Sequence, residues 1–125
     1  MSAWEKRWHP LRQEWVIVSA NTGARPWSGA VVEGQSVDTP EHDANCYLCP
    51  RVERAAGGQN PDYQGPYAFD NDFPSLALDA PGDLPALGLC RVLVWHPCHH
   101  HTLASLNAAQ MRDAVRLMRD EHARA

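Results

Sequence analysis

Little of this chain has the residue pattern of a helix or a strand, and that limits what it can fold into. Glycine, proline, asparagine and aspartate recur at short intervals, so residues 19–29, 50–66 and 76–88 are predicted to be loops. Residues 30–45 carry few apolar side chains and are predicted to be irregular surface chain. Long loops in a compact domain are usually functional, or are held by a metal ion or by another part of the protein. The loops of this chain therefore need more than a hydrophobic core to hold them.

The regular elements that the sequence predicts are short strands and one helix. Residues 15–18 form a β-branched run, residues 67–69 are a second short candidate, and residues 90–95 are the clearest strand. The near-continuous apolar character of the last run predicts burial on both of its faces. Asn107 is a good N-cap with Gln110 as its capping-box partner, and the helix is predicted to bury one apolar face, made of Met111, Ala114, Val115 and Met118. The pattern predicts an α+β fold with long loops and one C-terminal helix.

Composition excludes several classes of protein. A chain of 125 residues is long enough for one modest domain. Its net charge of −4 argues against a protein that wraps nucleic acid through a broad basic face, and no apolar run is long enough to span a membrane. The first residues contain no apolar core of a secretory signal, which predicts a cytoplasmic protein. In that setting, four cysteines indicate metal binding or redox chemistry before disulfides.

The pair Cys46 and Cys49 is the strongest local motif. Two thiolates separated by two residues are able to turn back onto one tetrahedral ion, and zinc favours sulfur and imidazole ligands. A redox motif of the same spacing is expected to open a helix after a buried strand, but residues 40–45 do not have the pattern of a strand. Zinc is therefore the favoured interpretation, with iron as the alternative metal. Two free cysteines in a loop are the remaining alternative.

Further ligands are expected from the dense run at residues 96–101. Cys98 or any of the three adjacent histidines after it would serve, although histidines in such a loop often bind nothing, and that reading is preferred for His100 and His101. A zinc ribbon would need a second Cys-x-x-Cys pair, which Cys90 and Cys98 do not provide.

Taken together, the motifs resemble one enzyme family. The chain is similar to the amino-terminal part of galactose-1-phosphate uridylyltransferases, and the resemblance follows the family's order through residues 9–19, 25–29, 42–49, 60–63, 69–74 and 91–103. The family implies a histidine-triad-like fold with antiparallel strands, here incomplete. It also implies transfer of a uridylyl group from UDP-glucose to a histidine and then to galactose 1-phosphate, which divides one hard displacement into two easier ones. Zinc is the implied cofactor, and a homodimer is implied for the full-length protein.

The resemblance assigns roles to individual positions. Cys46, Cys49 and His99 match three zinc ligands. Four positions match the UDP-sugar site: Arg25, whose fixed charge would offset phosphate; Asn71 and Asp72, whose side chains would bond sugar hydroxyls; and Ala55, through its main chain. For the pair at residues 71–72 an Asx turn is the alternative interpretation.

Two departures from the family's pattern limit what is expected of the chain. Thr22 stands where the family often has a second arginine, which weakens the expected phosphate clamp. The nucleophile of the family lies in a His-Pro-His motif, which this sequence lacks, and the run of histidines at residues 99–101 matches the zinc-ligand loop instead. We therefore expect residues 1–125 to be an N-terminal domain truncated before that motif, with no catalytic residue.

The same departures leave open a function of a different class. A zinc-stabilised module that binds a nucleotide sugar or a protein without catalysis is the alternative. A Cys-x-x-Cys oxidoreductase is disfavoured for the reason given above. A site with three ligands is open, so Cys98, His100 or His101 is a hypothetical fourth.

Overall fold

The computed structural model describes residues 4–26 and 38–124, and all structural statements here refer to those residues. The regular elements are β1 (Glu5–His9), β2 (Glu14–Val18), β3 (Tyr67–Asp70), β4 (Arg91–Val94) and α1 (Ala108–Arg124), with short 3₁₀ turns at Thr22–Ala24 and Leu103–Ser105. β1 pairs with β2 and β3 pairs with β4, in two antiparallel two-stranded sheets. The predicted α+β architecture of short strands, long loops and one C-terminal helix is confirmed.

The first sheet contains a strand that the sequence did not predict. β1 has a charged sequence, Glu-Lys-Arg-Trp-His, with no apolar run to mark it. It forms because β2 pairs with it across a tight turn in which Gln13 has a φ of 53°. Trp8 lies opposite Trp15 in the register, and their rings meet edge to face with centroids 5.6 Å apart. Such cross-strand aromatic pairs stabilise a sheet beyond the burial of area.

The described chain divides into two compact units. In the first, of residues 4–26 and 70–92, the carbonyl of Pro74 accepts hydrogen bonds from Trp4 Nε1 at 2.9 Å, Ser19 Oγ at 3.2 Å and Asn21 Nδ2 at 3.2 Å. Residues 76–88 form no helix or strand, as predicted. This unit is therefore held largely by hydrogen bonds to loop carbonyls.

The second unit comprises residues 38–69 and 93–124 and contains α1. The capping box is present as predicted, because Asn107 N–H donates to Gln110 Oε1 and Gln110 N–H donates to Asn107 Oδ1, both at 2.9 Å. The predicted apolar face is correct at Met111 and Ala114. It is wrong at its other two positions, which are exposed: Val115 at 50% and Met118 at 39%. The less exposed stripe instead continues through Leu117 and Glu121.

The apolar core of the described residues is small. Four apolar residues are buried: Cys49, Phe69, Ala86 and Ala114. Each residue of β4 is half-buried, so the predicted burial on both faces is partial. Residues 38–45 are irregular as predicted, and the predictions for residues 27–37 lie outside the described residues. None of the described helices has the length and apolar character needed to span a membrane. So small a core leaves the loops dependent on other interactions.

Candidate metal centre and nucleotide-site residues

The two cysteines of the Cys-x-x-Cys pair lie in consecutive tight turns of the second unit. Cys46 N–H donates to the carbonyl of Asp43 and Cys49 N–H donates to the carbonyl of Cys46, both at 3.1 Å. The Asp43 carboxylate also accepts from the N–H of Asn45 at 2.8 Å, an Asx turn that begins the reversal. Pro50 follows, and Arg51 turns the chain away with a φ of 64°. The loop thus brings two sulfurs close together without a helix.

His99 reaches this loop from a distant part of the sequence. It follows β4, and its main-chain N–H donates to the carbonyl of Glu41 at 2.7 Å. The ring nitrogen Nδ1 lies 3.4 Å from Cys49 Sγ. The ligand atoms of Cys46, Cys49 and His99 all lie within 4.8 Å of one another. These three side chains are therefore close enough to hold a metal ion.

One ligand–ligand distance and the chemistry of all three donors fit a tetrahedral ion. With metal–sulfur bonds of about 2.3 Å and metal–nitrogen bonds of about 2.0 Å, the sulfur and nitrogen of such a site are about 3.5 Å apart. The observed separation of 3.4 Å between Cys49 Sγ and His99 Nδ1 matches that value. Cys49 is buried, with 3% of its surface exposed, while Cys46 and His99 are half-buried. The sulfurs are thus partly shielded from water, yet remain reachable.

The electrostatics of the loop depend on whether an ion is bound. Burial raises the pKa of the Cys49 thiol, a hydrogen bond from the Asp43 main chain lowers it, and the nearby Cys46 raises it further. Without a cation, the Cys49 thiol therefore resists deprotonation. A divalent ion reverses this preference, because it favours the thiolates and releases their protons.

A pocket of about 260 Å³ surrounds these ligands. Its lining includes all three of them, together with Leu48, Tyr63, the residues from 93 to 98, and His101. Burial, followed by the charges of Cys49 and Cys46, raises the pKa of Tyr63 above its ordinary value. The phenol therefore keeps its proton and donates a hydrogen bond to the carbonyl of Leu48.

Among the described residues, the metal cluster contains three side chains. None of the hypothetical fourth ligands is one of them. Cys98 Sγ lies 3.5 Å from a carboxylate oxygen of Glu41, and burial followed by that carboxylate raises the pKa of its thiol. His101 Nδ1 contacts Ser105 Oγ at 3.0 Å, and His100 is exposed with its ring against that of His101. The fourth position of a tetrahedral ion is not filled by any of these side chains in this arrangement.

Three of the four predicted sugar-nucleotide residues lie in the first unit. Arg25 is exposed and donates through Nη2 to the carbonyl of Phe73 at 3.4 Å and to Ser75 Oγ at 3.1 Å. Asn71 Oδ1 accepts from the N–H of Phe73 at 2.9 Å, so the Asx turn considered as an alternative is present. Asp72 is half-buried beside it. Arg25 and the turn at residues 71–73 are thereby brought together.

Ala55 lies in the second unit, on the wall of another pocket of about 580 Å³. His42, Arg51, Glu53 and Arg54 also line this pocket, so that its wall carries charges of both signs beside apolar residues. The guanidinium carbon of Arg54 lies 4.3 Å above the centre of the Phe69 ring. The pocket is large enough for a small ligand.

Sequence reasoning missed the side chains that hold the cysteine loop in place. Asn60 is buried, with 2% of its surface exposed, and its amide donates to main-chain carbonyls of that loop. The pair Asn60-Pro61 predicts a loop, and the family resemblance through residues 60–63 assigns these side chains no role. A hydrogen bond between residues thirteen positions apart leaves no mark in a local pattern.

Comparison with known proteins gives consistent matches across most of the chain. The family model described as "Galactose-1-phosphate uridyl transferase, N-terminal domain" matches residues 2–124. The rat galactose-1-phosphate uridylyltransferase is 40% identical over 119 residues, covering 87% of this chain and 31% of the relative. The enzyme of the same name from Haemophilus influenzae is 34% identical over 126 residues, covering 93% of this chain and 36% of the relative.

A third relative has a similar identity and a similar coverage. The galactose-1-phosphate uridylyltransferase of Hypocrea jecorina is 40% identical over 127 residues, covering 88% of this chain and 33% of the relative. The chain thus spans about a third of the length of the curated relatives it matches. Because the family model covers nearly every residue, the chain belongs to the galactose-1-phosphate uridyl transferase family and matches its N-terminal domain.

Proposed function

We propose that this chain supplies the zinc-binding loop and part of the sugar-nucleotide pocket of a UDP-glucose–hexose-1-phosphate uridylyltransferase. The whole protein would transfer a uridylyl group from UDP-glucose to galactose 1-phosphate. Family membership supports this activity, and the convergence of Cys46, Cys49 and His99 carries the metal part of the proposal. Residues 1–125 form the N-terminal domain in this proposal, and a cytoplasmic location and a homodimer of the full-length protein are proposed with it.

Zinc is the metal that the donor set favours. Two thiolates and one imidazole are soft and borderline ligands, which suit zinc and disfavour magnesium or calcium. The bound ion would fasten residues 46–49 to the segment after β4, so that its contribution is structural. A chain with so few buried apolar side chains needs such a cross-link more than one with a large core.

The proposed contacts to the nucleotide sugar involve three side chains and one main-chain group. Arg25 would offset phosphate charge, while Asn71 and Asp72 would bond ribose hydroxyls. The hydrogen bonds from Arg25 to the segment after residue 72 support a shared role for these three residues. Ala55 would meet the nucleotide through its main chain, and its position on a pocket wall that also carries two arginines supports that role.

The nucleophile of the proposed reaction is not among these residues. A histidine that attacks the α-phosphorus must be presented to the bound nucleotide, and the family's His-Pro-His motif does not occur in this sequence. The same observation favours the second candidate function, a zinc-stabilised module that binds the nucleotide sugar without catalysis. The two functions differ in whether a covalent intermediate forms once the rest of the enzyme is supplied.

Binding of radiolabelled UDP-glucose to the zinc-loaded chain tests the proposal. We expect reversible binding in equilibrium dialysis and no label retained after denaturation. Arg25→Ala is expected to weaken binding about tenfold or more, since a hydrogen bond to a charged group contributes about 1.5–3 kcal/mol. Arg12→Ala is the matched control, because Arg12 is exposed and pairs with Glu14 at 2.7 Å. Equal binding by the Arg25 variant, or a covalent label on this chain alone, would contradict the assignment.

A further inference from the structure

We propose that Asn60 and Tyr63 hold the loop of residues 46–49 in its metal-binding conformation before any ion arrives. Neither side chain would contact the ion, so both are positioning residues. The inference rests on the metal site proposed above, and it adds the groups that preorganise that site.

The amide of Asn60 spans the loop from one side. Its Nδ2 donates to the carbonyl of Tyr47 at 2.8 Å and to that of Cys49 at 3.1 Å. An asparagine amide has two N–H donors, and both are directed at this loop. The side chain therefore fixes the orientation of two of the loop's peptide groups at once.

The conformation of Asn60 is itself fixed by the main chain. Its N–H donates to the carbonyl of Val52 at 3.0 Å, and its carbonyl accepts from the N–H of Arg51 at 3.2 Å. These two bonds tie the residue to the segment that leaves the cysteine loop. The amide is thus presented from a rigid base, which a positioning residue requires.

The amide oxygen of Asn60 shows why an asparagine is useful at this position. Asn60 Oδ1 is buried and has no hydrogen-bond partner among the described residues. A buried, unpaired carbonyl oxygen destabilises the fold, whereas an apolar side chain would leave no such group. The value of asparagine here therefore lies in its two donors, which an apolar residue lacks.

Tyr63 and His42 extend the same pattern to the neighbouring peptide groups. The Tyr63 phenol donates to the carbonyl of Leu48, between the two that Asn60 holds. His42 Nε2 lies 2.9 Å from the carbonyl of Pro50, and must be the protonated nitrogen because a carbonyl only accepts. Four successive carbonyls, at residues 47–50, therefore each receive a side-chain hydrogen bond.

Holding the carbonyls of Leu48 and Cys49, on either side of the Cα of Cys49, also fixes the direction of the Cα–Cβ bond that carries its sulfur. The peptide group is planar, so a carbonyl held in place sets the direction of the adjoining N–H and Cα. Without those bonds, a metal-free loop would sample other conformations, and the ion would have to order it on binding. Preorganisation removes that cost and raises metal affinity, as outer partners of metal ligands commonly do.

Metal affinity of two variants tests the inference. Asn60→Ala removes both amide donors, and Tyr63→Phe removes only the phenol while keeping the ring that stacks on Tyr67 at 4.9 Å. We expect each to weaken zinc binding, measured by competition with a chromophoric chelator, by about 10- to 100-fold. The matched control is Asn21→Ala, which removes an asparagine bond to the Pro74 carbonyl in the first unit. Its zinc affinity is expected to equal that of the wild type.

A second readout separates positioning from a general loss of stability. Hydrogen exchange of the metal-free chain is expected to accelerate at residues 46–49 in both variants and not in Asn21→Ala. At saturating cobalt(II), the thiolate charge-transfer absorption should match the wild type, because the ligands themselves are unchanged.

The outcomes separate a failure of this inference from a failure of the proposed metal site. If the wild-type chain binds no zinc, both fail. If it binds zinc and both variants bind with wild-type affinity, the metal site stands and only the positioning role is refuted. Should Asn60→Ala fail to fold even with zinc, Tyr63→Phe decides, since its ring packing is retained.

Discussion

Replacing Cys49 by serine is expected to remove the dependence of thermal stability on zinc. Cys49 is 3% exposed and its sulfur lies 3.4 Å from the imidazole of His99, and the cluster in the described residues contains no fourth side chain to replace it. A serine hydroxyl has nearly the same size but is a poor zinc ligand near neutral pH. The change therefore removes the bond to the ion while leaving the shape of the loop nearly intact.

The size of the effect follows from mass action. With free zinc at about 1,000 times the dissociation constant, binding to the folded state alone adds about 4 kcal/mol to the free energy of unfolding. A chain of 125 residues has an unfolding entropy near 0.26 kcal/mol/K, from about 2.1 cal/mol/K per residue. The wild-type melting temperature is therefore expected to rise by about 15 °C between chelator and zinc.

Differential scanning calorimetry in zinc and in a chelator measures this shift. Cys49→Ser should melt at nearly the same temperature in both buffers. Cys90→Ser is the matched control, because Cys90 is a half-buried free cysteine outside the metal cluster, and it should keep the full shift. A wild-type melting temperature that ignores zinc, or an equal shift in the Cys49 variant, would refute the reasoning.

Three further predictions concern the helix and the histidine loop. Asn107→Ala, which removes the N-cap acceptor, should lower the free energy of unfolding by about 1 kcal/mol in chemical denaturation. Ala114→Leu should cost about 1–3 kcal/mol because Ala114 has no exposed surface, whereas Ala109→Leu on the exposed side should change little. Burial, then the charges of neighbouring histidines, lowers the pKa of His96 below 6.5, so folding binds fewer protons there. The metal-free chain should lose stability as pH falls below 6.5, and less steeply in His96→Gln.

Local chemistry predicted the helix boundary, but only part of the face that it buries. The capping box depends on two residues three positions apart, so it is visible in the sequence. The buried face depends on what packs against the helix, and a pattern with apolar residues on several sides leaves that open. Leu117 is therefore less exposed than Val115 and Met118, which periodicity alone assigned to the inner face.

The first hairpin likewise contains one strand that local sequence predicts and one that depends on tertiary pairing. β2 has the β-branched residues that mark a strand, whereas β1 is charged and becomes a strand only through pairing with β2. A single strand carries no information about its partner. The sequence therefore predicted one of the two strands of the hairpin and missed the other.

The metal cluster could be predicted only in part from the residues. The spacing of Cys46 and Cys49 indicates a metal loop by itself, but the residues alone did not choose a partner among Cys98 and the three histidines after it, two of which were disfavoured. Family resemblance selected His99, and the carbonyl of Glu41 that holds its main-chain N–H shows why this residue faces the loop. Asn60 had no comparable signal, because its contribution is a set of tertiary hydrogen bonds.

X-ray absorption at the zinc edge of the purified wild-type chain tests the central claim most directly. Two thiolates and an imidazole predict two sulfur neighbours at about 2.3 Å and a nitrogen shell at about 2.0–2.1 Å, with the remaining position taken by a light atom. Loss of sulfur neighbours in Cys46→Ser and Cys49→Ser would assign them. A zinc ion surrounded only by nitrogen and oxygen, or a purified chain that takes up no zinc, would contradict the account.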